Sequence, residues 1–194
     1  MSLRLLLLRH GETAWNRERR YQGWTDTPLS AEGLIQAEAA ARELTEHAFA
    51  AVYASPLRRA LDTAAVIAAP HGLEVETDPA FKELHFGRWE GLTLDEARAR
   101  DAALYHGWAN TPHLVSPPGG EGLVEARERV LAGLERLRAG HQDETVCLVA
   151  HGIPVRILIL EALGSGSIAS GRCTRRPPAS RSSSSATTGR RCTA

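Results

Sequence analysis

The sequence predicts an α/β domain built as a three-layer sandwich, with helices on both faces of a mostly parallel central sheet. Three observations support this prediction. Short apolar runs alternate along the chain with segments whose apolar residues recur at helical spacing. Some of the runs are almost continuously apolar, which is typical of strands that are covered on both faces. The composition, 43% hydrophobic and 24% charged, is that of an ordinary globular protein.

The first part of the chain supplies two strands and one helix. Residues 3–8 read Leu-Arg-Leu-Leu-Leu-Leu and predict a buried strand. Ser30 has the side chain of a helix N-cap. The segment after it places apolar residues at helical spacing, namely Leu34, Ala37, Ala41 and Leu44. Residues 51–54, Ala-Val-Tyr-Ala, predict the second strand.

The second part continues the alternation. Ser55-Pro56 predicts a helix start, because proline suits the first helical position, and a stripe of small residues follows. Residues 73–76 predict a third strand. A helix is predicted over residues 121–139, and residues 145–150 predict the most clearly buried strand, before a last helix that runs to Leu163. The predicted inward residues are Ala60, Leu61, Ala64, Ala65 and Ala68 in the first of these helices and Leu123, Val130, Leu134 and Leu137 in the second.

Two histidines stand directly after predicted strands. His10 follows the first run, His151 follows the run 145–150, and a glycine comes after each. In open parallel sheets, ligands bind beyond the carboxyl ends of the strands. The two histidines are therefore predicted to reach one crevice, although 141 positions separate them.

The chain divides into a body, residues 1–164, and a tail, residues 165–194. The tail contains six Arg and no Asp or Glu, and Ile168 is its only aliphatic residue larger than alanine. The body holds all 23 acidic residues and 17 basic ones, so its net charge is −6. The six arginines of the tail bring the net charge of the whole chain to zero. A segment so poor in apolar residues cannot offset its ordering entropy. We therefore expect a disordered tail, with a shifted reading frame as the alternative.

Several classes of protein are disfavoured by the sequence. No stretch approaches the ~20 apolar residues of a membrane span, and no basic segment with a long apolar run after it marks a secretory signal. Cys147, Cys173 and Cys192 form neither a disulfide framework nor a zinc-binding spacing. We expect a cytoplasmic location with no membrane partner.

The residues that carry chemistry fall into five ordered blocks. Residues 8–16 read Leu-Arg-His-Gly-Glu-Thr-x-x-Asn, in which a cation, an imidazole and a glycine at a strand-to-helix turn form an anion site. Four further blocks lie over residues 22–33, 55–64, 83–91 and 149–152. Together the blocks resemble the histidine phosphatase superfamily, which includes the cofactor-dependent phosphoglycerate mutases. The resemblance implies the phosphoglycerate mutase-like form of the predicted sandwich.

The resemblance also implies roles for the residues of these blocks. His10 would attack phosphorus and become a phosphohistidine, which divides one difficult displacement into two. Arg9 and Arg58 would bind the phosphoryl oxygens through their forked donors, and His151 would donate to the same oxygens. Glu83 would be the general acid, with Glu90 as its rival for that role.

The remaining implied roles concern the substrate. Asn16, Gln22, Gly23 and Gly152 match positions that contact phosphate or substrate in the family. No cofactor and no metal are implied. The expected partner is a small-molecule phosphomonoester, and a homodimer is left open.

The resemblance covers both phosphatases and mutases. The mutases carry a long basic insert after the acid motif, whereas residues 93–116 hold only Arg98 and Arg100 as cations. Residues 86–91 look instead like those of small bacterial phosphatases, although Gly122 stands where these commonly have serine. A phosphatase for an α-ribazole phosphate-like substrate, or one of broad specificity, is therefore expected, and a cofactor-dependent phosphoglycerate mutase is the alternative.

Two further interpretations stay open at this point. Trp89, Tyr105 and Trp108 could form an aromatic rim for an apolar leaving group, or they could simply pack the fold. A non-catalytic protein that binds nucleic acid or another anion through the basic tail is an alternative of another class. The tail has no aromatic residue for stacking on bases, and the body is acidic, so no nucleic-acid partner is expected.

Overall fold

The computed structural model describes residues 2–164, where four parallel strands form one sheet in the order β1-β4-β2-β3. The strands are β1 (Arg4–Arg9), β2 (Ala51–Ala54), β3 (Val75–Thr77) and β4 (Thr145–Ala150). Cys147 of β4 lies opposite Leu6 of β1 on one side and Val52 of β2 on the other. The turns that follow β1 and β4 are therefore neighbours at one edge of the sheet.

Seven α-helices accompany the strands within the described residues. They are α1 (Ala14–Arg17), α2 (Ala31–Leu44), α3 (Arg58–Ala68), α4 (Leu94–Arg100), α5 (Ala102–Asn110), α6 (Leu123–Gly140) and α7 (Gly152–Ala162). Short 3₁₀ segments cover Ala69–His71, Pro79–Phe81 and Gly87–Trp89. None of the helices between residues 2 and 164 is long and apolar enough to cross a membrane.

Two apolar cores lie on opposite faces of the sheet, because side chains alternate along β4. Cys147 and Val149 belong to the core that contains residues of α2 and α3, whereas Leu148 and Ala150 belong to the core that contains residues of α6 and α7. All four of these side chains are fully buried. The three-layer α/β arrangement predicted from the sequence is thereby confirmed.

Most predicted elements are present, with shifted boundaries. The third strand covers Val75–Thr77 rather than residues 73–76, and α3 begins at Arg58 with Leu57 as its N-cap, so Pro56 stands before the helix. Ser30 caps α2 as predicted, because its hydroxyl accepts the N–H of Gly33 at 3.0 Å. Some predicted inward residues lie on outer surfaces: Leu34 is 45% exposed, and Ala65 is exposed.

The connection between β3 and α6 holds elements that the periodicity did not predict. It contains α4, α5 and two of the 3₁₀ segments, packed around the fully buried Trp89. The Trp89 indole N–H donates to Asp101 Oδ2 at 2.9 Å, which satisfies its polar atom inside the core. Trp89 is therefore a packing residue rather than a rim residue. The predicted tail, residues 165–194, lies outside the described residues.

Candidate active site

His10 directly follows β1, and its backbone N–H donates to the carbonyl oxygen of Ala150 at 3.1 Å. Its Nδ1 lies 2.7 Å from the carbonyl oxygen of Gly11. Because a carbonyl oxygen only accepts, Nδ1 carries the ring proton, and Nε2 keeps its lone pair. Burial and the positive charge of Arg59 lower the pKa of His10 to about 4, while the hydrogen bond to Gly11 opposes them. At neutral pH, His10 is a neutral imidazole with a free nucleophilic nitrogen.

His151 follows β4, and its ring centroid lies 5.1 Å from that of His10, so the two histidines share one crevice as predicted. Its Nε2 lies 2.7 Å from Ser55 Oγ, and that oxygen accepts the N–H of Leu57 at 3.3 Å. The Ser55 hydroxyl can donate its proton to Nε2, and in that tautomer the ring proton of His151 is on Nδ1. This Nδ1 is buried and has no hydrogen-bond partner within residues 2–164. It is a donor that lacks an acceptor.

The pKa of His151 lies well below its ordinary value. Burial is the main cause, followed by the positive charge of Arg59 and the neighbouring His10. Both imidazoles are therefore neutral at physiological pH. A neutral nucleophile and a neutral hydrogen-bond donor stand side by side.

Two arginines bring positive charge to the crevice. Arg59 is fully buried, and it donates to the carbonyl oxygens of Thr25 and Gly23 at 2.9 and 2.8 Å. The Nε atoms of Arg9 and Arg59 are both buried without a hydrogen-bond partner in the described part of the chain. A buried guanidinium with an unsatisfied donor is costly unless an anion supplies the missing acceptor. These two groups are suited to a phosphoryl group.

The structure corrects the choice between Arg58 and Arg59. The Arg58 side chain, to which the resemblance gave phosphate binding, is 65% exposed, and its Nε lies 3.4 Å from Asp62 Oδ2. Arg59 turns inward because it shares the buried face of α3 with Thr63 and Ile67, four and eight positions later. That helical spacing was the signal in the sequence that could have identified Arg59.

Glu83 lies beside the histidines and is held by three backbone donors. Its Oε1 accepts the N–H groups of Leu84 and Ile153 at 2.9 and 3.2 Å, and its Oε2 accepts that of Gly152 at 3.0 Å. Burial raises the pKa of Glu83, while the backbone donors and the Arg59 charge oppose the rise. Opposing influences of this kind suit a carboxyl group that must hold a proton in one step and release it in another.

Glu90, the rival for the acid role, has a different environment. Its Oε1 accepts the backbone N–H groups of Trp24 and Phe86 at 3.0 and 3.1 Å, and its Oε2 accepts the N–H and hydroxyl of Thr25. These bonds join the loop after Gln22 to the segment that carries Glu83. Glu90 thus positions a loop, and it does not line the cavity described below.

The predicted substrate contacts occupy structural positions in this structure. Asn16 Oδ1 accepts the N–H of Thr13 at 3.0 Å and completes the cap of α1, and Gln22 Oε1 accepts the hydroxyls of Thr13 and Thr27 at 2.9 and 2.7 Å. Gly23 supplies a carbonyl oxygen to Arg59. Their contacts with substrate, and those of Gly152, stay predictions.

A cavity of about 620 Å³ opens onto this group. His10, Arg9, Glu83 and Gly152 line it, together with aromatic and aliphatic side chains and the cation Arg156. Its volume lies within the ~300–1,000 Å³ of small-molecule pockets. The residues that line the cavity are Arg9, His10, Tyr21, Gln36, Glu83, Phe86, Trp108, Gly152, Ile153, Val155, Arg156 and Ile159.

The other predicted candidates lie elsewhere. Arg98 and Tyr105 line a separate groove, together with Glu18, Arg19 and Asp95. Within residues 2–164, no three His, Cys, Asp or Glu side chains lie close enough together to hold a metal ion. Burial raises the pKa of Cys147 to about 12, so this thiol is not a nucleophile. The reactive groups of the described chain are concentrated at the His10 cavity.

Comparison with known proteins agrees with this constellation. The model of the histidine phosphatase superfamily (branch 1) matches residues 5–191. A bifunctional protein of Mycobacterium tuberculosis is 42% identical over 165 residues, which are 84% of this chain and 45% of that relative. The chain thus spans less than half the length of this relative. Phosphoserine phosphatase 1 of Hydrogenobacter thermophilus is 36% identical over 162 residues, 84% of this chain and 77% of that protein.

Two solved structures superpose on this chain over most of its length. YhfR of Bacillus stearothermophilus superposes with a TM-score of 0.80 at 35% identity, over 84% of this chain and 81% of that one. The α-ribazole phosphatase of Shigella flexneri superposes with a TM-score of 0.78 at 32% identity, over 82% of this chain and 79% of that one.

Changing Arg59 to Met is expected to weaken binding of inorganic phosphate by about 10- to 100-fold, because a charge-assisted hydrogen bond and the main buried cation are lost. The matched change at Arg58 is expected to alter the affinity by less than about threefold, since exposed ion pairs contribute little. Isothermal titration calorimetry measures both. Arg59→Lys serves as a folded control that keeps the charge, and equal losses at the two positions would contradict the assignment.

Acidification is expected to destabilise the fold through His10. The pKa of His10 is about 4 in the folded chain and about 6.5 when unfolded, so the unfolded chain binds more protons between these values. Stability is therefore lost as the pH falls through this window, by about 2 kcal/mol between about pH 7 and about pH 5. Denaturant unfolding of the natural protein and His10→Gln measures the difference.

The His10→Gln variant should lose that part of the pH dependence. His113→Gln, at an exposed position outside the cavity, controls for the removal of one histidine. An unchanged pH dependence in His10→Gln would show that His10 is not held neutral by burial.

Proposed function

The chain belongs to the histidine phosphatase superfamily, branch 1, and on that premise we propose that it hydrolyses small organic phosphomonoesters through a phosphohistidine on His10. The observation that carries the proposal is the state of His10. This residue lines the cavity as a neutral imidazole, with its proton fixed on Nδ1 by Gly11 and its Nε2 free. A buried lone pair beside Arg9 and Arg59 suits attack on phosphorus.

In the first step, Nε2 of His10 forms a bond to phosphorus while the ester P–O bond breaks. Glu83 transfers its proton to the leaving alkoxide, so that the alcohol departs neutral and Glu83 becomes a carboxylate. The charge that develops on the histidine ring is stabilised by the carbonyl oxygen of Gly11, which accepts from Nδ1. Arg9, Arg59 and the Nδ1–H of His151 stabilise the phosphoryl oxygens.

In the second step, water attacks the phosphohistidine. The Glu83 carboxylate takes a proton from that water, the P–N bond breaks, and inorganic phosphate leaves with His10 and Glu83 in their starting states. The backbone donors from Leu84, Gly152 and Ile153 stabilise Glu83 between the two steps, when it is ionised. His10, Arg9 and Glu83 line the cavity, whereas Arg59 and His151 are buried behind it.

Hydrolysis is favoured over the phosphoglycerate mutase alternative by the distribution of cations. A mutase must hold a second anionic group of the glycerate while the phosphoryl group is transferred. Among the described residues that line the cavity, the arginines are Arg9 and Arg156, and Arg98 lines a different groove. The similarity to an α-ribazole phosphatase and to a phosphoserine phosphatase supports a hydrolase, although these two act on different alcohols.

The experiment that tests the proposal is capture of the intermediate. The protein is mixed with radiolabelled para-nitrophenyl phosphate for milliseconds and denatured in alkali, in which phosphohistidine survives. We expect label on the peptide that contains His10, and neither label nor turnover in His10→Ala. His106→Ala, an exposed histidine of α5, is the matched control and should be labelled normally. Turnover that survives in His10→Ala would contradict the mechanism.

Glu83→Gln is expected to slow hydrolysis of alkyl phosphates by about 10²- to 10⁴-fold, because the alkoxide then leaves without a proton. Para-nitrophenyl phosphate should lose much less in the first step, since nitrophenolate is a stable anion. Single-turnover rates for the two esters measure this difference. Glu90→Gln is the control. Because Glu90 positions a loop, its loss should affect both esters by the same factor.

If Glu83→Gln lowers the single-turnover rates of both esters equally, Glu83 is not the acid. If Glu90→Gln shows the selective loss instead, the acid role passes to Glu90.

A further inference from the structure

The cavity is polar around His10 and apolar over much of the rest of its wall. Six of its lining residues are aromatic or aliphatic, namely Tyr21, Phe86, Trp108, Ile153, Val155 and Ile159. The first three form one aromatic group, because the Tyr21 and Phe86 rings lie 4.6 Å apart and the Trp108 ring meets Phe86 edge-on at 6.1 Å. The other three belong to α7. The proposed chemistry at the phosphoryl group uses none of these side chains.

We propose that this apolar part of the cavity is a subsite for the alcohol portion of the substrate, and that the substrate is a phosphomonoester of an aromatic or similarly bulky apolar alcohol. The inference rests on the proposed phosphatase function. Because Glu83 must reach the leaving oxygen, the alcohol begins at Glu83. The carboxylate of Glu83 is held by the N–H groups of Gly152 and Ile153 at the start of α7. The carbon skeleton therefore extends along α7, between its apolar face and the aromatic group.

The charges along the cavity wall restrict the alcohol further. Glu83 is the only acidic residue among those that line it. A substrate ammonium group would find no partner there except the catalytic acid, and a buried charge without a partner is costly. Phosphoserine, whose alcohol carries an ammonium and a carboxylate, is therefore a poor fit. This specificity differs from that named for the Hydrogenobacter relative.

Arg156 also disfavours substrates that carry an ammonium group. It lines the cavity from α7, is exposed, and has no ion pair within residues 2–164, whereas Arg127, Arg129 and Arg136 of α6 are all paired with acids. A free cation at the mouth attracts the phosphate dianion and repels ammonium groups. It does not change the apolar character of the subsite itself.

The test compares three esters whose alcohols have similar leaving ability: benzyl phosphate, glycerol 3-phosphate and O-phosphoserine. All three are alkyl esters, so differences in kcat/KM report on the alcohol subsite rather than on the chemical step. We expect benzyl phosphate to exceed glycerol 3-phosphate by at least about tenfold, since one methylene in an apolar pocket changes kcat/KM by about 10- to 200-fold. Phosphoserine should be the poorest of the three.

Two variants connect this preference to the subsite. Ile159→Asn places an amide on the cavity wall at a position that is 42% exposed, so the fold should tolerate it. Ile35→Asn makes the same change at a 55% exposed position of α2 that does not line the cavity. The ratio of kcat/KM for benzyl phosphate to that for glycerol 3-phosphate should fall about three- to tenfold in Ile159→Asn. It should stay unchanged in Ile35→Asn. Trp108 belongs to the aromatic group that lines the cavity, and Trp108→Ala should lower the same kcat/KM ratio.

The outcomes separate this inference from the function on which it rests. Hydrolysis of none of the esters would overturn the phosphatase function and the subsite with it. Equal kcat/KM values for the three esters would overturn the subsite alone, as would a ratio that neither Ile159→Asn nor Trp108→Ala changes. A benzyl preference that falls in these two variants and not in Ile35→Asn would establish the subsite.

Discussion

The site depends on the burial of one cation, Arg59. Its guanidinium is fully buried, and its hydrogen bonds go to two carbonyl oxygens rather than to a carboxylate. Such a charge is costly in a protein interior, and it makes any second positive charge nearby costlier still. Burial lowers the pKa values of both neighbouring histidines, and the Arg59 charge lowers them further, so that both rings stay neutral. Within residues 2–164, the site thus contains buried polar nitrogens without a hydrogen-bond partner on Arg9, Arg59 and His151. In the proposed function, a phosphoryl group supplies acceptors and negative charge to these groups together.

The loop that accepts from Arg59 depends in turn on Glu90. The carboxylate of Glu90 binds the backbone of Trp24 and Thr25 on one side and that of Phe86 on the other. Gly23 makes the close approach of this loop feasible. Its φ is +54°, and a Cβ there would clash with the carboxylate of Glu90. The two acidic residues of the block 83–91 therefore have separate tasks. Glu90 fixes the loop that holds the cation, and Glu83 remains beside the histidines, held by backbone donors that do not neutralise it.

The sequence predicts the strands and the position of the site well, but it predicts less well which side chains of a helix point into the core. Strands β1 and β4 are short and mostly apolar, and parallel topology brings their ends together, so the meeting of His10 and His151 follows from pattern alone. Arg58 and Arg59 are adjacent on a helix and point about 100° apart, so choosing between them requires the phase of α3. The start of that helix was predicted two to three residues early, at Ser55-Pro56. The sequence does not predict helices α4 and α5, because both are short and neither has a strong apolar stripe. They are held in place by packing around Trp89.

Helix α7 connects catalysis with substrate choice, and the order of its residues explains how the two are kept apart. The backbone N–H groups of its first turn hold Glu83, and the residue just before it is His151. The side chains of Ile153, Val155 and Ile159 line the cavity. Every residue except proline supplies a backbone N–H, so the side chains at positions 153, 155 and 159 can differ while the donors to Glu83 are kept. The alcohol that this fold accepts can therefore change through the outer turns of α7, while the neutral histidines and the buried Arg59 stay as they are.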